Sequence, residues 1–179
     1  MHITQIYISG FKKFSSETFS FNEDLNIIVG DNDSGKSTLL EAIELVVNGR
    51  YRGKSVTSEI TPELFNVLSK IDYFKSDYAS GNLPAIKIEV YLEGCPNYRG
   101  INNTQNIDAE GITLDILFDC ELQAAYNDFI KDNNDISTIP TEFYKVNWQD
   151  FSWNNIKYLN REAKSLLIDP SRLHPTYGK

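Results

Sequence analysis

Apolar and polar residues alternate in several short stretches of the chain, a spacing typical of strands with one buried face. The clearest stretches are 85–93 and 112–118, each with four apolar residues on one side. Shorter alternating stretches lie at 6–8, 18–21 and 144–148. Because one-sided strands belong more often to antiparallel than to parallel sheets, the sequence predicts a sheet with an antiparallel portion.

Residues 25–29 (Leu-Asn-Ile-Ile-Val) show a different pattern, an apolar run rich in β-branched residues that ends at Gly30. This pattern predicts a buried strand. After the next loop, apolar residues recur at helical spacing and predict an amphipathic helix that stops at Asn48-Gly49. The residues predicted to share its buried face are Leu39, Leu40, Ile43, Val46 and Val47.

Two further helices are predicted beyond this point. Thr61 as N-cap and Pro62 in the first turn announce one of them, and a third helix is expected near 121–131. The apolar face of the helix beginning after Thr61 is predicted to carry Leu64, Leu68 and Ile71. Stretches 95–111 and 131–141 are rich in Asn, Asp, Gly and Pro and are predicted to be loops. A short apolar run follows at 166–168.

Composition narrows the class of protein without identifying it. A chain of 179 residues with 41% hydrophobic residues is long enough for a globular core, and it has no apolar stretch long enough to span a membrane. Its two cysteines cannot form a disulfide framework, so a cytoplasmic setting is expected. The net charge of −8 excludes a wholly basic surface: residues 1–54 carry 6 basic and 7 acidic residues, whereas 55–179 carry 11 and 18.

Residues 30–37 (Gly-Asp-Asn-Asp-Ser-Gly-Lys-Ser) fit the phosphate-loop pattern G-x-x-x-x-G-K-[ST], known as Walker A. The glycines allow backbone N–H groups to point at phosphate oxygens, and the following helix directs its positive end at the same anion. Lys36 would add a full positive charge at the β- and γ-phosphates, Ser37 would ligate Mg²⁺, and Thr38 would help to hold the α-phosphate. The motif therefore predicts that the chain binds a nucleotide together with Mg²⁺. A strand-to-helix turn that binds nothing is the alternative.

The residues around this loop resemble a known family over about 45 positions. Gly10-Phe11-Lys12-Lys13-Phe14 ends the first predicted strand, and Lys36-Ser37-Thr38-Leu39-Leu40-Glu41-Ala42-Ile43 opens the helix. This arrangement resembles the N-terminal part of RecF/SMC-like ABC-type ATPases, and most closely that of OLD-family ATP-dependent endonucleases. Asp33 departs from the glycine frequent in SMC proteins, which favours the OLD or RecF-like branch.

The resemblance implies a fold class and a set of site residues. The expected fold is α/β, the N-terminal lobe of a phosphate-loop ABC-type ATPase, with a mixed sheet and the Walker A helix packed on it. Lys12 takes the position of a basic residue beside the nucleotide, and Asn32 that of the loop asparagine, although a solvated turn lysine is an alternative for Lys12. The full predicted nucleotide-binding set is Lys12, Gly30, Asn32, Asp33, Ser34, Gly35, Lys36, Ser37 and Thr38, with Lys36 also catalytic.

Basic residues outside the loop leave two interpretations open. Lys13 is predicted to be exposed. Arg50, Arg52 and Lys54 follow the first helix together with Tyr51, and they could contact DNA phosphate or form an ordinary solvated loop. The solvated loop is favoured because short basic runs are common.

The second half of such an ATPase is not evident in the sequence. No L-S-G-G-like signature motif occurs, and two apolar stretches only resemble a Walker B strand. The first ends at Asp119 and the second at Asp169, where Pro170 occupies the position of the catalytic glutamate. Asp119 is predicted to be a strand-end residue, and Asp169 is a weak candidate for binding Mg²⁺. We therefore expect 1–179 to be the N-terminal part of an ATPase domain that lacks its second half and the Toprim nuclease of OLD-family members.

Three functions remain in consideration. The first is the ATP-binding part of an OLD/RecF-like ATPase whose intact form dimerises, hydrolyses Mg-ATP and controls DNA binding or a nuclease domain or partner in DNA repair or phage defence. This chain alone would then bind nucleotide with little turnover. The second is a non-catalytic nucleotide-binding module, complete in 179 residues, that docks partners through strands 85–93 and 112–118. A small kinase or GTPase is the third, and the absence of an Asn-Lys-x-Asp motif gives GTP specificity no support.

Overall fold

The computed structural model describes residues 1–133 and 136–157, which form a mixed α/β fold. The strands are β1 (His2–Phe11), β2 (Phe14–Ser20), β3 (Arg50–Tyr51), β4 (Lys54–Ser55), β5 (Ile86–Glu93), β6 (Arg99–Gly100), β7 (Ala109–Phe118) and β8 (Tyr144–Asp150). The helices are α1 (Lys36–Asn48), α2 (Val67–Lys75) and α3 (Gln123–Asp132). No helix in these described ranges has the length and apolar character needed to cross a bilayer.

Antiparallel pairing joins the long strands into one sheet in the order β2-β1-β5-β7, with β6 and β8 both paired to β7. Register places Ile8 opposite Ile88, Ile88 opposite Leu114, and Leu114 opposite Trp148. These four side chains are buried and form a row across the sheet. The predicted antiparallel sheet is confirmed. Strand β7 begins at Ala109, so the loop predicted at 95–111 is shorter than expected.

Helix α1 lies against the face of the sheet that carries this row. Ala42, Leu45 and Val46 of α1 are completely buried, and the indole Nε1 of Trp148 donates a hydrogen bond to the Val46 carbonyl at 2.7 Å. The helix ends at Gly49, which has the left-handed φ of +63°. A Cβ at Gly49 would lie 2.9 Å from Cζ3 of the Trp148 ring. The predicted stop at Asn48-Gly49 is therefore confirmed.

The predicted buried face of α1 is rotated from the observed one. Leu40 is 40% exposed and Ile43 is only partly buried, whereas Ala42 and Leu45 are completely buried. Alanine carries little weight in an apolar pattern, yet its small side chain allows the helix backbone to approach the sheet closely. Contact with the sheet, rather than side-chain size, determines the buried stripe.

The prediction of a buried strand at 25–29 is wrong. These residues have no regular secondary structure, and Leu25, Ile27 and Val29 are 72%, 76% and 83% exposed. Both edges of β1 are already occupied by β2 and β5. No strand in the described part of the chain pairs with 25–29, so this apolar run has no sheet against which to be buried.

The helix predicted from Thr61 is also placed differently. Pro62–Leu64 forms a short 3-10 turn, and α2 begins only at Val67. Asn66 is the N-cap, with its side-chain oxygen accepting from the N–H groups of Leu68 and Ser69. Leu68 is 63% exposed and Ile71 is 40% exposed, so neither lies on the buried face. Tyr73 fills that position instead, with its hydroxyl 2.8 Å from the hydroxyl of Tyr126 on α3.

Strand β5 is buried on both faces, although its alternation predicts a solvent-facing side. Glu89 is 1% exposed and accepts hydrogen bonds from the N–H and hydroxyl of Thr104 at 2.8 and 2.6 Å. The hydroxyl of Tyr91 donates to the same carboxylate at 3.1 Å. Burial and this neighbouring charge raise the pKa of Tyr91. The β5 part of the docking surface proposed for a non-catalytic module is thus covered by the chain's own residues.

Candidate functional site

The phosphate loop lies between the exposed run 25–29 and the N-terminus of α1. Gly35 is the N-cap of α1 and has a φ of +101°, and Asp33 has a φ of +68°. The first turn of α1 contains no acidic residue, and no described side chain caps it. The first N–H groups of α1 therefore have no side-chain acceptor, which is the arrangement that a helix offers to an anion.

Both loop glycines have close neighbours, and Gly35 also has the left-handed conformation that favours glycine. A Cβ at Gly30 would lie 2.7 Å from the Ser34 hydroxyl oxygen, and one at Gly35 would lie 2.9 Å from Cζ of Phe14. Phe14 is buried at the start of β2. The loop is thus folded tightly on itself and packed against the first residues of β2. Backbone N–H groups in a tight turn of this kind can bind a phosphate group.

Lys36 directs its side chain back across the loop. Its Nζ donates to the carbonyl oxygens of Gly30 and Asp31 at 2.5 and 2.7 Å and lies 3.4 Å from the Ser34 hydroxyl. The ammonium group is therefore held against the loop by neutral acceptors. An incoming phosphate oxygen would be a charged and stronger acceptor for the same group.

The other predicted loop residues lie around this centre. Asn32, Asp33, Ser34 and Ser37 are exposed, while Thr38 is half-buried in the first turn of α1. The structure therefore brings the residues of the motif together at one helix terminus. Their roles toward ATP and Mg²⁺, including that of Ser37 as a metal ligand, stay predictions.

The family resemblance predicts that Lys12 lies beside the nucleotide, but its ammonium group contacts helix α1. Its Nζ contacts the carboxylate of Glu41 and lies 4.8 Å from the centre of the Tyr51 ring. Both members of the ion pair are largely buried, with side-chain exposures of 19% and 15%. Burial raises the pKa of Tyr51. The predicted contact of Lys12 with nucleotide stays a prediction, and in this structure the lysine has a protein partner.

Lys13 contacts the phosphate loop, a relationship that the sequence patterns do not indicate. Its Nζ donates to the backbone carbonyl of Asp33 and lies 3.8 Å from Asp33 Oδ1. The lysine is 37% exposed, as predicted for a turn residue. No local signal in the sequence could have revealed this contact, because it joins residues 20 positions apart.

Other candidates from the sequence have structural partners or lie outside the described residues. In the basic loop after α1, Arg52 pairs with Glu63 at 3.2 Å and Lys54 pairs with Glu59 at 2.7 Å. Asp119 accepts from Lys145 Nζ at 3.0 Å and from the N–H of Glu121 at 3.2 Å, so it follows the end of β7 and caps the short 3-10 helix Cys120–Leu122. The candidate Asp169 and the apolar run 166–168 lie outside the described residues.

Comparison with known proteins finds relatives that are longer than this chain. The DNA replication and repair protein RecF of Acetivibrio thermocellus is 32% identical over 110 residues, which are 56% of this chain and 30% of that protein. RecF of Idiomarina loihiensis is 48% identical over 50 residues, covering 28% of this chain and 14% of that protein. The chain thus spans less than a third of the length of these curated relatives.

A solved structure and a family profile complete the comparison. A chain from a study of the ATP-driven dimerization and DNA-stimulated activation of SMC ATPases matches with 21% identity and a TM-score of 0.43, covering 65% of this chain and 64% of its own. The profile of the AAA ATPase domain matches residues 1–179, the full sequence. The chain is therefore related to RecF proteins and belongs to the AAA ATPase domain family.

Proposed function

We propose that this chain is the ATP-binding part of an OLD/RecF-like ATPase that hydrolyses Mg-ATP to control DNA binding or endonuclease activity. The family membership supports an ATPase, and the relatives named as DNA replication and repair proteins support a role on DNA. The OLD assignment and a role in phage defence depend on the resemblance of residues 10–14 and 30–43. A homodimer of the intact protein and a nuclease domain or partner belong to the same proposal.

The position of the Lys36 ammonium is the observation that carries the proposal. It donates to the carbonyls of Gly30 and Asp31, and Lys36 is the first residue of α1, whose N-cap Gly35 provides no side-chain cap. A fixed cation, a helix N-terminus and a glycine-rich turn around one point are the groups that bind a polyphosphate. When a phosphate binds, its charged oxygens would replace the two carbonyls as acceptors for the Lys36 ammonium group.

The Walker A motif assigns a residue to each part of Mg-ATP. The loop backbone and Lys36 would hold the β- and γ-phosphates, Ser37 would ligate Mg²⁺ through its exposed hydroxyl, and Thr38 would reach the α-phosphate. Bound Mg²⁺ supplies charge neutralisation between phosphates. The chain's own contribution is to orient the triphosphate and to stabilise charge on the transferring phosphoryl group.

Titration calorimetry with ATP, in the presence and absence of Mg²⁺, tests the proposal on this chain. We expect saturable binding that Lys36→Ala weakens by about tenfold or more, since a charge-assisted contact is lost. Ser37→Ala should remove most of the Mg²⁺ dependence. Lys54→Ala is the matched control, because it removes an exposed ion pair outside the loop and should leave affinity unchanged.

Two results would contradict the proposal. One is the absence of detectable binding at millimolar ATP, and the other is equal affinity in the wild type and the Lys36→Ala variant. Turnover is tested separately. We expect little ATP hydrolysis by this chain, and a fast rate abolished by Lys36→Ala would show that the chain supplies more of the catalytic machinery than we propose.

A further inference from the structure

The phosphate loop of this chain carries two acidic residues where it must receive a polyanion. Asp31 and Asp33 lie on either side of Asn32, and the Asp33 side chain is fully exposed. Carboxylates close to a triphosphate repel it, and the repulsion is strongest at low ionic strength. A loop of this composition needs a cation that offsets the acids without occupying the phosphate position.

Lys12 and Lys36 are already committed to other contacts in this structure. Lys36 Nζ is held by the loop carbonyls, at the place that we propose for phosphate. Lys12 is paired with Glu41 in a largely buried contact. Lys13 is next to Lys12 in the turn between β1 and β2. Its ammonium group contacts Asp33 of the loop through both the backbone carbonyl and the carboxylate.

The turn that presents Lys13 is braced from its opposite side. The N–H of Lys12 donates to the Leu64 carbonyl at 2.8 Å, and the Lys12 carbonyl accepts from Asn66 Nδ2 at 2.7 Å. Asn66 is only 3% exposed, and its own N–H donates to the Gly10 carbonyl. These hydrogen bonds fix the backbone of the turn as far as Lys12. The Lys13 side chain therefore needs little further ordering to reach the loop.

Lys13 also contacts the rigid end of the loop. Its Cδ would be 3.0 Å from a Cβ at Gly35, so the methylene chain of the lysine lies directly over the N-cap of α1. The lysine thus extends along the loop from Gly35 to Asp33. Asp33 is in the left-handed region that residues other than glycine seldom adopt, and the contact with its carbonyl stabilises this conformation.

We propose that Lys13 is a positioning residue of the phosphate loop, which neutralises Asp33 and holds its carbonyl so that the loop accepts a nucleoside triphosphate. The inference rests on the proposed function, because it assigns Lys13 a role in the same site. It also explains how a loop with aspartate at position 33 can bind a polyanion. The negative charge of the aspartate is offset by the positive charge of Lys13 on the adjacent turn.

A double-mutant cycle between Lys13 and Asp33 tests this proposal, with MgATP affinity as the measurement. Lys13→Met should weaken binding about fivefold, the upper range for an exposed ion pair. Asp33→Asn alone should not weaken MgATP affinity, because it removes a repulsive carboxylate and leaves the Lys13 charge in place. In the Lys13→Met background, Asp33→Asn should restore affinity to within about twofold of the wild type. A purely structural loss would not be rescued in this way.

A matched cycle controls for charge alone. Lys131 and Asp128 form an exposed pair at 3.2 Å on α3, and the substitutions Lys131→Met and Asp128→Asn should leave MgATP affinity unchanged. Lys13→Arg keeps the charge and should bind MgATP nearly as well as the wild type. It also provides a folded variant if Lys13→Met lowers the thermal stability.

The outcomes separate the inference from the function on which it rests. A wild-type chain that binds MgATP, together with a cycle showing no coupling between Lys13 and Asp33, overturns the inference alone. Equal loss of affinity in the Lys13→Met and Lys131→Met variants does the same, since it shows a general charge effect. A wild-type chain that binds no MgATP overturns the proposed function and the inference with it.

Discussion

The ammonium group of Lys12 contacts the carboxylate of Glu41, joining the turn between β1 and β2 to the middle of α1. The same ammonium lies over the Tyr51 ring, in the residues that follow the helix. One side chain therefore contacts segments before, within and after the helix that begins at the phosphate loop. A pair so little exposed is sensitive to the loss of either partner, because the remaining charge is left poorly solvated.

Glu41→Gln should lower the free energy of unfolding by about 1–3 kcal/mol, since it leaves the Lys12 charge without its carboxylate. Denaturant unfolding at neutral pH measures this difference. Glu63→Gln is the matched control, because its pair with Arg52 is about half exposed, and we expect a change of less than about 1 kcal/mol. Equal effects of the two substitutions would contradict a special role for the Lys12–Glu41 pair.

Trp148→Phe should be destabilising by about 1–3 kcal/mol, since it removes the donor for the Val46 carbonyl and part of a ring packed against Gly49. The chain provides its own control in its second tryptophan. Trp153 is 64% exposed, and Trp153→Phe should change stability by less than about 0.5 kcal/mol. Thermal unfolding followed by circular dichroism compares the two variants, and a reversed order would place the helix–sheet contact elsewhere.

Ile27→Ala should change the free energy of unfolding of this chain by less than about 0.5 kcal/mol, because Ile27 is 76% exposed. Ile8→Ala should lower it by about 2–5 kcal/mol, because Ile8 is completely buried in the central row of the sheet. The pair is matched in side chain and differs in burial and in secondary structure. A large loss of stability in Ile27→Ala would mean that 25–29 is packed in solution.

The hydrogen bond from Lys145 and that from the N–H of Glu121 hold the pKa of Asp119 below its ordinary value. A carboxyl with a lowered pKa in the folded state stabilises the fold at pH values above its unfolded pKa, near 3.9, and this contribution is lost as pH falls through the folded pKa. Asp119→Asn should therefore be less stable than the wild type at neutral pH, with the difference disappearing in acid below about pH 4. Urea unfolding across this range measures it, and Lys145→Met should behave similarly.

Local sequence patterns predicted the long elements well, because residues close together in the chain determine their secondary structure. The alternating stretches at 85–93 and 112–118 became β5 and β7, and the stop at Asn48-Gly49 became the end of α1. The errors occur where a distant contact decides the outcome. Residues 25–29 have every local feature of a buried strand, yet burial requires a partner strand that the described residues do not offer. Asn66, rather than Thr61, begins α2 because its side chain also contacts the β1–β2 turn.

The site was predictable to the extent that it is a linear motif. Positions 30–37 specify the glycines, the lysine and the helix that follows, and the structure places these together. The pairing of Lys12 with Glu41 and the contact of Lys13 with Asp33 were not predictable, because each joins residues that lie 20 or more positions apart. The sequence alone does not show which partner each of the two consecutive lysines contacts. The folded structure does, because it places Lys12 beside Glu41 and Lys13 beside Asp33.

The uneven anchoring of α1 has a consequence for local motion. Its C-terminal end is fixed by Gly49 and Trp148, whereas its N-terminal loop is approached from one side by the exposed run 25–29. Amide hydrogen exchange should therefore be slow around Leu45 and fast across 25–29, with the phosphate loop marking the change from one regime to the other. The protein would meet its ligand at the boundary between a well-packed and an exposed stretch of backbone, where binding can order the exposed stretch without moving the sheet.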